Sequence, residues 1–512
     1  MSIKRDLKMY RILLLLAIFV AFFSTLGFVP LFDLDEGAFS EATREMLFRG
    51  DYLTTYLNGD LRFDKPILIY WLQALCVKIF GLNEFSVRLP SALASTLWAL
   101  AIFYFTKRFT DEKRAFVATF AMVVGLQITI IAKAAIADAL LNLFIALSMF
   151  CIYLYYEKKA MKYLYGTFVF MALGTLTKGP VAVMIPFVVS FLFYLYKGEL
   201  KAWLKAVFNP LGVFIFVAIA LPWYLMEYLE QGQKFIDGFF LKHNFDRFHS
   251  PMEGHYGSLF YYIPVFLIGL LPFTPLFLKS ISNFREIFKD DLKLFLMIWF
   301  VFVFVFFSFS GTKLPHYIIY GYTPLFILLG IDFDRFSLKR VSLAPLFLYI
   351  LLIALPIVLK IEGVGIIKDE FARIVVGESM ELFDLRYFLV LLVAVLLSLY
   401  LFVAHIKPLY KFVVTGFVFV LVINMTVLPL VANAQQLPIK EAALVAKSKN
   451  LDVVFYHINT PSFSFYERKI THKRDIKNGD FVLTKANRLE SIKKYDTIYH
   501  KRGVFLIKVI EK

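Results

Sequence analysis

Residues 33–66 gather eight acids (Asp33, Asp35, Glu36, Glu41, Glu45, Asp51, Asp60, Asp64) and four bases between two apolar stretches. A carboxylate so placed can take a proton from a reacting hydroxyl, hold a cation or cap a helix. Asp35 is positioned to N-cap a helix over about Glu36–Phe48 that Gly50 would end. Proton acceptor is the other reading, and the two can coexist. Asp138 opens an apolar run after Ala132-Lys133-Ala134-Ala135-Ile136-Ala137; it is either an interface residue or a site residue. Lys65, Lys178, Arg247 and Lys313 stand singly in short, otherwise apolar motifs. Each either snorkels toward headgroups or binds an anion. Tyr317 follows Lys313 by four and shares its face if that stretch is helical. His243, His249, Glu253 and His255 lie close together, but their spacing fits no standard zinc signature. With only Cys76 and Cys151 in the chain, a zinc-thiolate or iron–sulfur centre is excluded.

The elements that must position these residues are membrane helices. Of 512 residues, 60% are hydrophobic and 18% charged, Phe occurs 59 times, and mean hydropathy is +0.70. Soluble domains carry roughly 45–50% apolar residues and about 25% charged ones, so a water-soluble or disordered chain is excluded. Apolar runs near bilayer-spanning length predict thirteen helices, at about 11–31, 88–106, 115–132, 139–156, 163–177, 180–196, 207–225, 258–278, 293–309, 317–331, 341–360, 386–405 and 411–431. The basic N-terminus runs into the first span without a small-residue cleavage site, which predicts a retained helix.

One alternating set of loops holds 23 Lys+Arg against 10 Asp+Glu, which predicts a cytoplasmic N-terminus and an outer C-terminus. Asp35, Lys65, Asp138, Lys178, Arg247 and Lys313 then share the outer face. In the first outer loop, 32–87, two amphipathic helices are expected along the membrane surface. The second would start with Pro66 at N1, end near Gly81 and present Ile67, Tyr70, Trp71, Ala74 and Leu75. Asn58-Gly59 marks a turn between two short extended pieces. A transmembrane domain over 1–431 and a small outer α/β domain over 432–512 are expected, with a turn at Asn478-Gly479-Asp480.

The ordered motifs Asp35-Glu36-Gly37, Arg44-Glu45-Met46, Gly50-Asp51, Lys65-Pro66, Tyr70-Trp71, Arg88-Leu89-Pro90, Asp138-Ala139-Leu140-Leu141, Leu176-Thr177-Lys178-Gly179-Pro180, Leu221-Pro222-Trp223, His243-Asn244 and Lys313-Leu314-Pro315-His316-Tyr317 resemble membrane glycosyltransferases of the GT-C fold. The resemblance is to the branch containing bacterial lipid A aminoarabinose transferases and protein O-mannosyltransferases, and it covers residues 10–430 in order. It implies an inverting transferase in the bacterial inner membrane, with its active site on the periplasmic side. The donor would be a sugar on undecaprenyl phosphate, and the acceptor lipid A or a related outer-leaflet glycolipid. Ser/Thr hydroxyls of exported proteins are the alternative acceptor.

By the same resemblance Asp35 is the base and Asp138 a site residue, while Lys65, Lys178, Arg247, Lys313 and Tyr317 serve the donor phosphate. Asp64 and His243 would ligate a divalent ion. Ala38 stands where the aminoarabinose branch carries an arginine, which weakens assignment of that sugar. No phosphate-binding loop or dinucleotide fingerprint stands out, so no nucleotide cofactor is expected. The basic charge is spread over seven loops, which excludes a nucleic-acid surface. Partners expected are the lipid-linked donor, the acceptor and membrane lipids, with the protein a monomer. A transporter or flippase would instead place ionisable residues at mid-membrane depth.

Overall fold

The computed structural model describes residues 2–246, 257–282 and 284–512. Seven described helices are long and apolar enough to cross a bilayer: Glu84–Phe109, Asp138–Lys158, Pro210–Gln231, Asp291–Phe309, Leu343–Glu362, Leu385–Val403 and Pro408–Gln435. The pair Tyr262–Gly269 and Thr274–Ile281, bent by 118°, makes an eighth. Thirteen is not reached by this measure because the other expected spans are short or interrupted, or, in the 18-residue helix Met161–Lys178, too polar. The first is α-helical to Ile18 and then π-helical over Phe19–Phe23. The third breaks at Gly125, whose ψ of 134° is extended, leaving Glu112–Val124 and Leu126–Ile131. The tenth begins as a 3-10 helix, Pro315–Gly321, before Tyr322–Asp332. Val181–Tyr196 is one 16-residue helix.

Aromatic rings fill much of the space between helices. Phe105 and Phe150 stack at 4.0 Å, as do Phe273 and Phe412. Trp98 is fully buried and donates to Thr323 Oγ1. Such offset and edge-on pairs add to burial, which alone cannot distinguish a protein interior from lipid.

The segment 32–87 folds as a helix, Asp35–Arg49, a two-stranded ribbon of β1 (Tyr56–Leu57) and β2 (Asp60–Leu61), and a second helix, Leu68–Phe80. Asn58 and Gly59 both take positive φ in the ribbon's turn, as expected of Asn-Gly. Gly50 ends the first helix at φ 70°. The second helix starts two residues beyond Pro66, with Ile67 as N-cap. Its face is split: Tyr70 and Ala74 point inward, while Trp71 and Leu75 are exposed. The first helix is not an exposed amphipathic helix. Nearly every side chain from Glu36 to Met46 is buried, because the helix Pro461–Glu467 packs over it.

That covering helix belongs to a C-terminal sheet of β3 (Val453–Phe455), β4 (Phe481–Lys485), β5 (Lys494–Lys501) and β6 (Val504–Glu511), in the order β3-β4-β6-β5. The β3–β4 pair is parallel and the others antiparallel, giving the mixed α/β unit expected. Gly479 adopts φ 92° in the turn before β4.

Candidate functional site

Asp35 is the first residue of its helix, not the cap. The N-cap is Leu34, and no side chain caps the helix. The carboxylate is exposed and, among the described residues, accepts no hydrogen bond. The reading of Asp35 as a plain N-cap is therefore corrected.

Its neighbours are held tightly. Glu36 and Arg88 form a buried bidentate pair, Nε to Oε1 at 2.6 Å and Nη2 to Oε2 at 2.8 Å. Arg88 also donates to the carbonyls of Leu26, Val29 and Pro30. Glu36 accepts from the amides of Phe32 and Ala135. One ion pair thus joins the end of the first membrane helix, the loop, helix Glu84–Phe109 and the segment before Asp138.

The C-terminal domain pins the other side. Ser462 donates its amide and its hydroxyl to the two Asp33 oxygens, at 3.0 and 2.5 Å, and Tyr466 OH accepts from Leu31 N. Packing around the half-buried Asp33 pushes its carboxyl up to about 7, against those two hydrogen bonds. Gly37 is required here: a Cβ would come within 2.0 Å of Asp33 Oδ1 and 2.8 Å of Ser462 N.

Asp64 and Lys65 follow β2. Asp64 Oδ2 lies 3.2 Å from Arg62 Nη2, and Lys65 Nζ donates to the Asp64 carbonyl at 2.9 Å. Arg62 is buried over the Phe39 ring, with Nε and Nη1 unsatisfied. The field of Asp35 reaches both Arg62 and the buried Tyr70 hydroxyl.

The structure also joins Asp138, Lys178 and Tyr317. Lys178 Nζ donates to Asp138 Oδ1 at 2.7 Å and lies 5.4 Å from the Tyr317 ring centroid. Tyr320 OH donates to the same Asp138 oxygen at 2.6 Å, and His316 Nε2 is 3.8 Å from it. Lys313 is not part of this group. Its ammonium donates to the carbonyls of Ser308 and Ser310, closing the end of helix Asp291–Phe309, and burial lowers its pKa. It precedes the 3-10 helix that holds Tyr317, so the two do not share a helical face.

Arg247 and its neighbours His249, Glu253 and His255 lie outside the described residues, as does the side chain of His243. Among the described residues no three or more His, Cys, Asp or Glu side chains gather for a metal.

Sequence reasoning missed Glu36, Arg62, Arg88, Tyr320 and Ser462 as contributors. Arg88 carried a signal, an isolated guanidinium at the head of an apolar helix, where a charge persists only with partners. Ser462, over 400 residues from Asp33, carried none. A cavity of about 260 Å³ opens beside this framework, lined by Asp33, Asp35, Glu36, Arg88 and Lys133 among others.

Residues 64–225 match the family profile described as dolichyl-phosphate-mannose-protein mannosyltransferase. An uncharacterised protein of Aquifex aeolicus is 31% identical over 349 residues, 68% of this chain and 78% of that one. The undecaprenyl phosphate-alpha-4-amino-4-deoxy-L-arabinose arabinosyl transferase of Aeromonas hydrophila is 29% identical; the match covers 59% of this chain and 56% of that protein. The chain thus spans little more than half the length of that relative. Among solved structures, ArnT from Cupriavidus metallidurans bound to undecaprenyl phosphate has the same fold, with TM-score 0.80 at 21% identity and 97% of each chain covered. An oligosaccharyltransferase of Archaeoglobus fulgidus aligns at TM-score 0.50 and 12% identity, over 90% of this chain and 64% of that one. With its multi-pass helical body, its small C-terminal sheet domain and these matches, the chain belongs to the GT-C fold family of membrane glycosyltransferases.

Proposed function

We propose that the protein transfers a sugar from undecaprenyl phosphate to lipid A or a related outer-leaflet glycolipid, with inversion. It acts at the periplasmic side of the bacterial inner membrane, with its N-terminus in the cytoplasm and its C-terminus outside. The observation that carries this reading is Asp35: a carboxylate unpartnered among the described residues, on a helix whose neighbours are fixed from both sides by Glu36–Arg88 and Asp33–Ser462. A rigidly held base is what displacement at an anomeric carbon requires.

In this mechanism the acceptor oxygen attacks the anomeric carbon as its proton passes to Asp35. The bond from that carbon to the carrier's phosphate oxygen breaks, and the carrier leaves as undecaprenyl phosphate. Cations stabilise the charge that develops on the departing phosphate. Lys65 and Lys178, with Tyr317 beside Lys178, are our first assignments. Arg247 and Lys313 are retained as further phosphate contacts, although Lys313 must first leave its carbonyls. Asp138 orients Lys178. Asp64 and His243 are our assigned ligands for a divalent ion, and no step is routed through it. We take the working unit as a transmembrane catalytic domain over 1–431 with an outer domain over 432–512, acting as a monomer.

Mannosyl transfer to protein Ser/Thr is the second reading, supported by the description of the family profile over 64–225. Mass spectrometry of lipid A and of exported glycoproteins, with and without this protein, decides between them. A lipid A mass increment that depends on the protein is expected. An increment confined to exported proteins would overturn the lipid acceptor.

A further inference from the structure

Lys133 lies in the short segment between helices Leu126–Ile131 and Asp138–Lys158 and is 6% exposed. Its ammonium donates to the Asn424 side-chain oxygen, and Asn424 in turn donates to Val20 O. Among the described residues, no carboxylate lies within ion-pair distance of Lys133. Burying an unpaired ammonium is costly, and here burial lowers Lys133 to about 7, with Arg88 pushing the same way. A binding anion would restore its full charge.

The cavity beside Lys133 is the one that Asp35 lines. Its other charges are already engaged: Glu36 by Arg88, Arg88 by Glu36 and three carbonyls, Asp33 by Ser462. Lys65, Lys178, Lys313 and Tyr317 do not line it, so the cavity is separate from the groups assigned to the donor. Leu34 and Ile130, 42% and 44% exposed, also line it and face outward as apolar surface. The cavity therefore suits a charged group carried on a lipid better than a free anion.

We propose that Lys133 is the anion subsite for the acceptor, binding a phosphate of an outer-leaflet glycolipid in the cavity that also holds Asp35. This rests on the glycolipid-acceptor reading above. Asp35 and Lys133 divide the work: one receives the acceptor's proton, the other holds its charge, and the acyl chains pass over Leu34 and Ile130. Arg88 cannot replace Lys133, because its donors are engaged.

Native mass spectrometry of the purified full-length protein tests the subsite, with three separate probes: diphosphoryl lipid A, fully dephosphorylated lipid A and undecaprenyl phosphate. Wild type is expected to retain diphosphoryl lipid A at least about tenfold better than the dephosphorylated form, the discrimination of a charge-assisted hydrogen bond. Lys133→Met, close in shape and relieved of a buried charge, is expected to lose that discrimination and keep undecaprenyl phosphate. Lys133→Arg is expected to restore part of it. Undiminished discrimination by Lys133→Met would overturn the subsite, and so would a wild type that binds both lipid A forms equally. Loss of undecaprenyl phosphate instead would move Lys133 to the donor. A wild type that binds neither lipid A form would refute the glycolipid reading itself.

Discussion

Removing either partner of the Glu36–Arg88 pair should destabilise the region around the first-loop helix more than any other single charge change there. Glu36 is 4% exposed and Arg88 3%. Glu36→Gln leaves the guanidinium buried with the carbonyls of residues 26, 29 and 30 as its remaining partners. Arg88→Met leaves the carboxylate buried with the amides of residues 32 and 135. Breaking a buried pair from one side costs about 3–5 kcal/mol. The double variant Glu36→Gln/Arg88→Met removes both charges but strands the carbonyls of residues 26, 29 and 30. It should cost clearly less than the two single losses added, yet not return to wild type. Chemical unfolding in detergent, followed by tryptophan fluorescence, measures all four proteins. Losses that add within ~0.5 kcal/mol would refute the reasoning, since uncoupled residues behave that way.

Stability should also depend on pH where the first-loop helix meets the C-terminal helix. Burial raises Asp33 and Glu467, each to about 7. Raised carboxyls bind protons more tightly in the folded state, so their contribution is complete below about pH 4 and is lost as pH rises through about 7. Thermal melts should therefore show a higher midpoint at pH 5.5 than at pH 8.5; the reverse order would contradict these assignments. Lys65→Ala should weaken use of the lipid-phosphate donor about tenfold or more, as a rise in its apparent KM, if Lys65 meets the phosphate; an unchanged KM removes that role. A divalent ion on Asp64 and His243 predicts loss of transfer after EDTA and recovery on adding metal, measured in proteoliposomes; chelator-insensitive turnover would remove the ion.

Periodicity, charge and turn chemistry were strong guides at short range. The Asn58-Gly59 turn, the Gly50 helix end and the mixed C-terminal sheet follow from local residue types, and the structure has all three. The helix count was harder to read. A continuous apolar run cannot reveal that Gly125 is extended, or that Pro315–Gly321 winds as a 3-10 helix. Hydropathy records composition, not hydrogen-bond register.

At the site, chain order pointed to Asp35, Asp138 and Lys178 as candidates, and the structure gathers Asp138, Lys178 and Tyr317. What holds them was not legible. Arg88 binds Glu36 across 52 residues, Tyr320 binds Asp138 across 182, and Ser462 binds Asp33 across 429. Pairings at such separations come from tertiary packing, and no local pattern encodes them. The same packing explains why the first-loop helix is buried. Within it, Glu41 pairs with Arg44 at 2.6 Å beneath the C-terminal domain.

The net charge of +16 likewise conceals its distribution. The loops assigned to the cytoplasm carry most of the excess, whereas residues 33–66 are acidic. That acidity is partly spent on structure: Glu36 on Arg88, Glu41 on Arg44, Glu45 on Arg49. Asp35, like the exposed Asp60, takes no part in this network.

The most direct test is therefore transfer by Asp35→Asn. In proteoliposomes carrying an undecaprenyl-phosphate-linked sugar and lipid A, the variant should lose about 10²–10⁴-fold in turnover, the usual contribution of a positioned base. Its thermal midpoint should match wild type, because the Asp35 side chain holds nothing in place. Turnover within a few-fold of wild type would contradict the assignment of Asp35 as the base.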